Sequence, residues 1–235
     1  GRGPWCVLMG QIDDATSEVS AEFHGHEGTL PFMASFKSYI KAKGIPLSVY
    51  IDRHTTYKSN KKPSIEDELE DREPLTQVGR ALEELGVEVI FARSAPAKGR
   101  IERLFRTFQD RLVKEMRLRK IKSIEEANSF LKEYLPGYNK RFAVPAEKNA
   151  DLHRPLPKGI DLDTILCKKT EHALRNDFTV AHNKKLYQIE NNIRTQKVIV
   201  EERIDGSIII IYKNKVLKYK EIINRPRQVK EKLQH

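Results

Sequence analysis

A chain of 235 residues with 39% hydrophobic side chains can bury one large core or two modest ones, which argues against wholesale disorder. Its formal charge of +10, within 32% charged residues, favours polyanionic partners through long-range attraction and counterion release, although a merely solvated basic surface has the same composition. Two distant cysteines, Cys6 and Cys167, argue against a disulfide scaffold or cysteine zinc site and fit a reducing cytoplasm, and no apolar run approaches the ~20 residues that span a bilayer, so no membrane partner is expected.

Residues 6–12 read as a strand, residues 13–17 have turn chemistry, and the alternating run 18–24 pairs back as a hairpin. From Leu30 to Ile40 apolar residues recur near the helical period, with Thr29 as N-cap and Gly44 as stop. Residues 47–51 form a short apolar strand ending at Asp52, and the polar stretch 53–73 reads mostly as a loop. Thr76 caps a helix carrying Val78, Ala81, Leu82 and Leu85, which Gly86 ends before a buried strand at 87–92. Residues 96–99 read as a loop, followed by a long helix with Ile101, Leu104, Phe105, Phe108 and Leu112 on one stripe. A further helix spans 123–134, opened by a capping box of Ser123 and Glu126. Prolines and polar residues make 148–172 a linker. Beyond it, short β-type runs at 178–181, 185–189, 197–202, 207–212 and 215–219, separated by turn pairs such as Asn183 after His182 and Asn214 after Lys213, predict a small barrel or sandwich. The fold class is therefore α/β in 1–147 followed by a small all-β domain in 173–235.

Two acids stand out. Asp52 closes a strand, and strand ends are where sites gather in α/β sheets. Glu102 lies in the first turn of the helix that follows the next strand. Acids placed this way converge on one sheet edge, and carboxylates are the hard oxygen ligands that Mg²⁺ or Mn²⁺ requires. Two such ions roughly 3.5–4 Å apart activate a nucleophilic oxygen and stabilise the leaving oxygen of a phosphodiester. Taken singly, Asp52 fits a loop hydrogen bond as well, and Glu102 a favourable charge at a helix N-terminus. Their surroundings reverse that balance. Glu102, Arg106 and Gln109 share one helix face, where an acid flanked by a cation and an amide holds a metal while contacting phosphates. An ordinary amphipathic helix with intrahelical ion pairs is the plainer alternative. His54 follows Asp52 closely, as a substrate-orienting group or a simple loop residue, and His24 with His26 lacks a metal-binding spacing.

The run 96–103, followed by Thr107 and Gln109, resembles the third-acid helix of DDE-type bacterial insertion-sequence transposases with a retroviral-integrase-like core, most closely the ISNCY-like branch. Gly1-Arg2-Gly3-Pro4, Ile12-Asp13-Asp14-Ala15-Thr16, Tyr50-Ile51-Asp52-Arg53-His54 and Tyr138-Asn139-Lys140-Arg141-Phe142 match that family in the same order, so the resemblance covers most of the chain. It implies an RNase H-like integrase core, a mixed sheet with flanking helices, and a small β-barrel-like C-terminal domain that binds DNA. It also implies three metal-binding acids, with Asp52 as the second and Glu102 as the third. The first belongs to a strand expected to precede Gly1, since Asp13 and Asp14 match a turn. Further implications are Mg²⁺- or Mn²⁺-dependent 3′-end cleavage and strand transfer on double-stranded DNA, both transposon ends and target, by a homo-oligomer in the cytoplasm. Lys98, Arg100, Arg103, Arg106 and Gln109 are the expected DNA contacts. The alternatives are a catalytically incomplete fragment acting only as a DNA-binding module, an RNase H-like nuclease that cuts without joining, and an RNA-binding protein, which leaves Asp52 and Glu102 without a reason.

Overall fold

The computed structural model describes residues 3–51, 75–91, 95–147 and 151–223, and divides the chain into two compact units, Gly1–Leu166 and Cys167–His235. The first unit is mixed α/β. Strands β1 (Val7–Ile12) and β2 (Val19–His24) form the expected antiparallel hairpin, with Val7 opposite His24 and Ile12 opposite Val19. Asp13 makes its turn: one carboxylate oxygen accepts the Ala15 N–H at 3.0 Å, the Thr16 N–H at 2.7 Å and the Thr16 hydroxyl at 2.8 Å. Helix α1 (Thr29–Lys43) buries Met33, Phe36 and Ile40. Thr29 is its first helical residue rather than its cap; Gly28 takes the cap position without a side-chain bond. Gly44 ends it, as expected. Its φ is 97°, and a Cβ there would come within 2.7 Å of the Arg154 carbonyl oxygen, so only glycine fits.

Strand β3 (Ile45–Pro46) leads into β4 (Ser48–Ile51). Helix α2 (Gln77–Glu84) opens with the predicted cap, the Thr76 hydroxyl accepting the Gly79 N–H at 3.0 Å, and buries Val78, Ala81 and Leu82. Strand β5 (Glu88–Phe91) then runs parallel to β4, from Ser48 opposite Glu88 to Ile51 opposite Phe91.

Three helices follow, α3 (Ala95–Asp110), α4 (Leu112–Leu118) and α5 (Ile124–Phe142). Residues 96–99 belong to the start of α3 instead of the loop expected there. A proline in a first helical turn loses no hydrogen bond, because those N–H groups have no intrahelical acceptor. Leu104, Phe108 and Leu112 pack with Val19 of β2 and with Phe130 and Leu131 of α5. Gly10 lets the first of these helices lie close to β1, since a Cβ there would sit 3.2 Å from the Phe105 ring.

Helix α5 continues past Tyr134, where its sequence signal stops, through Pro136 to Phe142. Two asparagines explain its hold. Asn128 accepts the Phe23 N–H at 2.7 Å and donates to the Phe23 carbonyl at 3.0 Å; Asn139 does the same with Val19 at 2.9 Å for both bonds. Each amide thus pairs with β2 as a neighbouring strand would, satisfying an edge that has no other strand partner among the described residues.

The expected linker 148–172 is instead structured from residue 151 onward. Strand β6 (His153–Arg154) pairs with β3, the Arg154 guanidinium donates to the carbonyls of Leu85 at 2.9 Å and Gly86 at 2.8 Å, and helix α6 (Leu162–Ile165) is tied to α1 by the Lys37–Asp163 ion pair. His153 is gripped from both sides, its Nδ1 2.8 Å from an Asp151 carboxylate oxygen and its Nε2 2.7 Å from the Tyr39 hydroxyl. Burial, aided by nearby carboxylates, pushes the Tyr39 phenol up to about 12, so it remains a neutral structural bridge. No helix among the described residues is long and apolar enough to cross a membrane.

The second unit is all-β and starts at β7 (Lys168–Ala173), which lies inside the expected linker. It continues with β8 (Thr179–His182), β9 (Lys185–Ile189), β10 (Lys197–Glu202), β11 (Ile208–Tyr212), β12 (Lys215–Val216) and β13 (Tyr219–Ile222). An antiparallel sheet of order β12-β11-β10-β7 and another of order β13-β9-β8 share a core of Val180, Tyr187, Ile189, Val198, Val200 and Ile210. Two hairpins turn on residue pairs with positive φ, Asn183 (46°) with Lys184 (64°) and Lys213 (47°) with Asn214 (60°), the geometry that matches strand twist.

A histidine pair is set into this unit. His182, 8% exposed, places Nδ1 3.2 Å from Nε2 of His172, which also meets the Thr170 hydroxyl at 2.9 Å. Burial is the main cause holding the His182 pKa below its ordinary 6.5, with His172 and Lys168 adding to the effect and Glu202 opposing it. The folded-state pKa is thus below the unfolded one, so the unfolded chain binds more protons in between. Stability of this unit is therefore full above pH 6.5 and declines as pH falls below it. Protection factors of the Val180 and Val200 amides, corrected for the slower intrinsic exchange in acid, are expected to fall on acidification, and His182→Gln to flatten that dependence; an unchanged slope in the variant would contradict this role.

Candidate active site

Parallel pairing sets the geometry of the site. Ile51 and Phe91 are register partners at the C-terminal ends of β4 and β5, so both chains leave the pair at the same edge. Asp52 is the residue after Ile51 and lies outside the described residues, as does His54. From Phe91 the chain reaches α3, which begins at Ala95 and carries Glu102. Lys98 lies in this helix, but its side chain is outside the described set.

Glu102 is exposed, and because α3 starts at Ala95 it stands about two turns into the helix rather than in the first turn. This weakens the helix-dipole explanation, since that field falls off within the first turn. The ion-pair explanation also loses its support. Arg106 sits one turn further along, yet Glu102 has no ion-pair or hydrogen-bond partner among the described residues, whereas the equivalently spaced Arg80 and Glu84 pair at 2.7 Å. Among the described residues the Glu102 carboxylate therefore has no structural task of its own.

Arg103, Arg106 and Gln109 are exposed on the same helix, with the Arg103 Nε donating to the Gly99 carbonyl at 3.0 Å. Arg100 differs from them. Its guanidinium Nη1 donates to the Asp14 carboxylate and backbone carbonyl, so it fastens α3 to the β1–β2 turn. Asp13 and Asp14 are thereby both occupied, one in the turn and one on Arg100. Among the described residues, no three His, Cys, Asp or Glu side chains lie close enough together to hold a metal ion.

Some structural roles had no sequence signal. Asn128 is an ordinary helix residue until β2 is placed beside it, and Asn139 stood out only as part of the run 138–142, with no role attached. The rings of Phe130, Tyr134, Tyr138 and Phe142 recur every four positions, a spacing visible in the sequence but running past 134, where the helix is expected to end.

The chain is 34% identical over 226 residues to the putative transposase y4bF of Sinorhizobium fredii (strain NBRC 101917 / NGR234), covering 93% of this chain and 48% of that protein. It is 28% identical over 222 residues to the transposase for insertion sequence IS1202 of Streptococcus pneumoniae, covering 91% of this chain and 46% of the relative. The chain thus spans about half the length of the curated relatives it matches. A simian T-cell lymphotropic virus intasome in complex with PP2A regulatory subunit B56 gamma, solved by cryo-EM, contains a chain that aligns with a TM-score of 0.34 and 15% identity, over 94% of this chain and 76% of that one. No family model matches the sequence.

Proposed function

We propose that this chain is part of a DNA transposase that uses Mg²⁺ or Mn²⁺ to cleave the 3′ ends of a mobile element and join them to target DNA. The observation that carries this reading is the pairing of Ile51 with Phe91, which sends the segment beginning at Asp52 and the one leading to Glu102 out from the same sheet edge. Similarity to two transposases over more than nine-tenths of the chain supports it.

The donor set suits a hard divalent cation, because Glu102 is an exposed oxygen ligand that no cation within the described residues claims. Asp52 and Glu102 would hold that cation, which when bound polarises the phosphodiester and lowers the pKa of an attacking oxygen. Lys98, Arg103, Arg106 and Gln109 would bind the backbone phosphates and set the register of the DNA, contributing affinity but little sequence preference. Arg100 would fix the helix against the hairpin turn, so that Glu102 keeps its place under the load of a bound duplex.

In this reading the first unit is an RNase H-like core. The β1–β2 hairpin and the β4–β5 pair belong to one mixed sheet. The second unit acts as a small barrel that binds DNA, and the protein works as a homo-oligomer on transposon ends and target.

The test is a strand-transfer assay with the full-length protein, labelled element ends and Mg²⁺. Joined products are expected. Cut but unjoined ends would indicate a nuclease, and binding without cutting would leave only a DNA-binding module.

A further inference from the structure

A groove of 330 Å³ lies between α4 and α5. Its wall on α5 is a ladder of rings, with centroid separations of 5.4 Å from Phe130 to Tyr134, 6.2 Å from Tyr134 to Tyr138 and 4.7 Å from Tyr138 to Phe142. Guanidinium groups edge the ladder. Arg119 lies 4.7 Å from the Phe130 ring centroid, while Arg111 and Arg141 lie 5.9 Å and 5.3 Å from that of Phe142. Arg119 also pairs with Glu133 at 3.2 Å, whereas Arg111 and Arg141 have no carboxylate partner among the described residues.

Gly137 forms the bare part of this wall. A Cβ there would meet nothing within 4 Å, and its φ is not positive, so neither crowding nor backbone geometry asks for glycine. A glycine inside a helix costs roughly 0.5–1 kcal/mol relative to alanine. Among the described residues the fold shows no return for that cost, which points to something that enters the groove and approaches the backbone closely.

We propose that this groove binds single-stranded DNA, with a base stacked on Tyr138 and Phe142 over Gly137 and its flanking phosphates on Arg111 and Arg141. Ring faces suit bases of any sequence, and unpaired guanidiniums suit the anionic backbone beside them. An apolar helix laid in the same place would instead strip water from two arginines without supplying acids. The inference rests on the transposase reading only for the source of the single strand, the ends opened by cleavage.

Fluorescence anisotropy with a labelled oligothymidylate tests it on the full-length protein. Gly137→Leu fills the groove, removes a helix-weakening residue and is expected to keep or raise the thermal midpoint while weakening binding at least about fivefold, the lower value of one lost base stack. Arg111→Gln with Arg141→Gln is expected to reduce the slope of log affinity against log salt by about 1.4, two phosphate contacts on a single strand. Wild-type affinity in Gly137→Leu and an unchanged slope in the arginine pair would overturn the proposal. So would tighter binding of oligouridylate, which assigns the groove to RNA, or a Gly137→Leu protein that loses self-association while keeping its oligothymidylate affinity, which assigns it to a second copy. Groove-dependent binding in a protein that transfers no strand would discard the transposase reading alone; normal strand transfer with binding indifferent to both variants would discard the groove alone.

Discussion

Replacing Glu102 with Gln is expected to lower strand cleavage and joining at least about 100-fold while leaving the fold and duplex affinity intact. The scale follows from the proposed role. Loss of groups that merely support a metal ligand already costs about 10–100-fold, so loss of the ligand costs no less. The structure makes the substitution a clean one. Glu102 is exposed and has no ion-pair or hydrogen-bond partner among the described residues, so Gln removes charge without breaking a contact among them. Asp52→Asn is expected to do the same, and the double variant to fall little below either single one, because two ligands of one cation act as a unit. Stopped-time gel assays with labelled element ends, alongside thermal melting, check this. Cleavage within a few-fold of wild type in either variant removes these acids from the chemistry.

The second large effect is structural. Asn139→Ala is expected to destabilise the first unit by about 2–4 kcal/mol, because the Val19 N–H and carbonyl each lose their partner at a half-buried edge and each such loss costs about 1–3 kcal/mol. Asn139→Gln is expected to rescue little, since its extra methylene moves the amide out of line with both groups. Asn128→Ala acts at Phe23 through the same pattern of bonds. Urea unfolding followed through tertiary signals measures the change, and a loss below about 0.5 kcal/mol, the usual size of a surface substitution, would show that water replaces the amide without penalty.

These two residues also mark how far the sequence carries. Local chemistry was legible: the Thr76 and Ser123 caps, the Asp13 turn, the Gly44 stop and the hairpin pairs at Asn183 and Asn214 all depend on neighbours a few positions away. What escaped depends on distant partners. The helix from Ser123 reads as ending at 134, and the bonds from Asn139 to Val19, 120 positions away, help show why it continues. The segment from residue 151 reads as a linker because its anchors, Tyr39 for His153 and Leu85 for Arg154, lie far up the chain. Pro96 and Gly99 look like loop punctuation, although a proline costs nothing in the first turn, and that shift of the helix start moves Glu102 away from the N-terminal dipole. Strand β7 was hidden by its polar composition, Lys168 to Ala173, since its alternation shows only once β10 is beside it. The acid pair itself was readable as a pattern of residue types. The level ends of β4 and β5 add one edge from which the chain leaves toward each acid, and the Arg100 guanidinium, an expected DNA contact, is found on Asp14.

Manganese gives the most direct test of that shared edge. Crystals of the full-length protein grown with Mn²⁺ and measured at the manganese absorption edge are expected to show an anomalous peak touching the carboxylates of both Asp52 and Glu102, and to lose it in Glu102→Gln. A protein that places these two carboxylates apart, or whose manganese binds elsewhere and survives the substitution, would contradict the account.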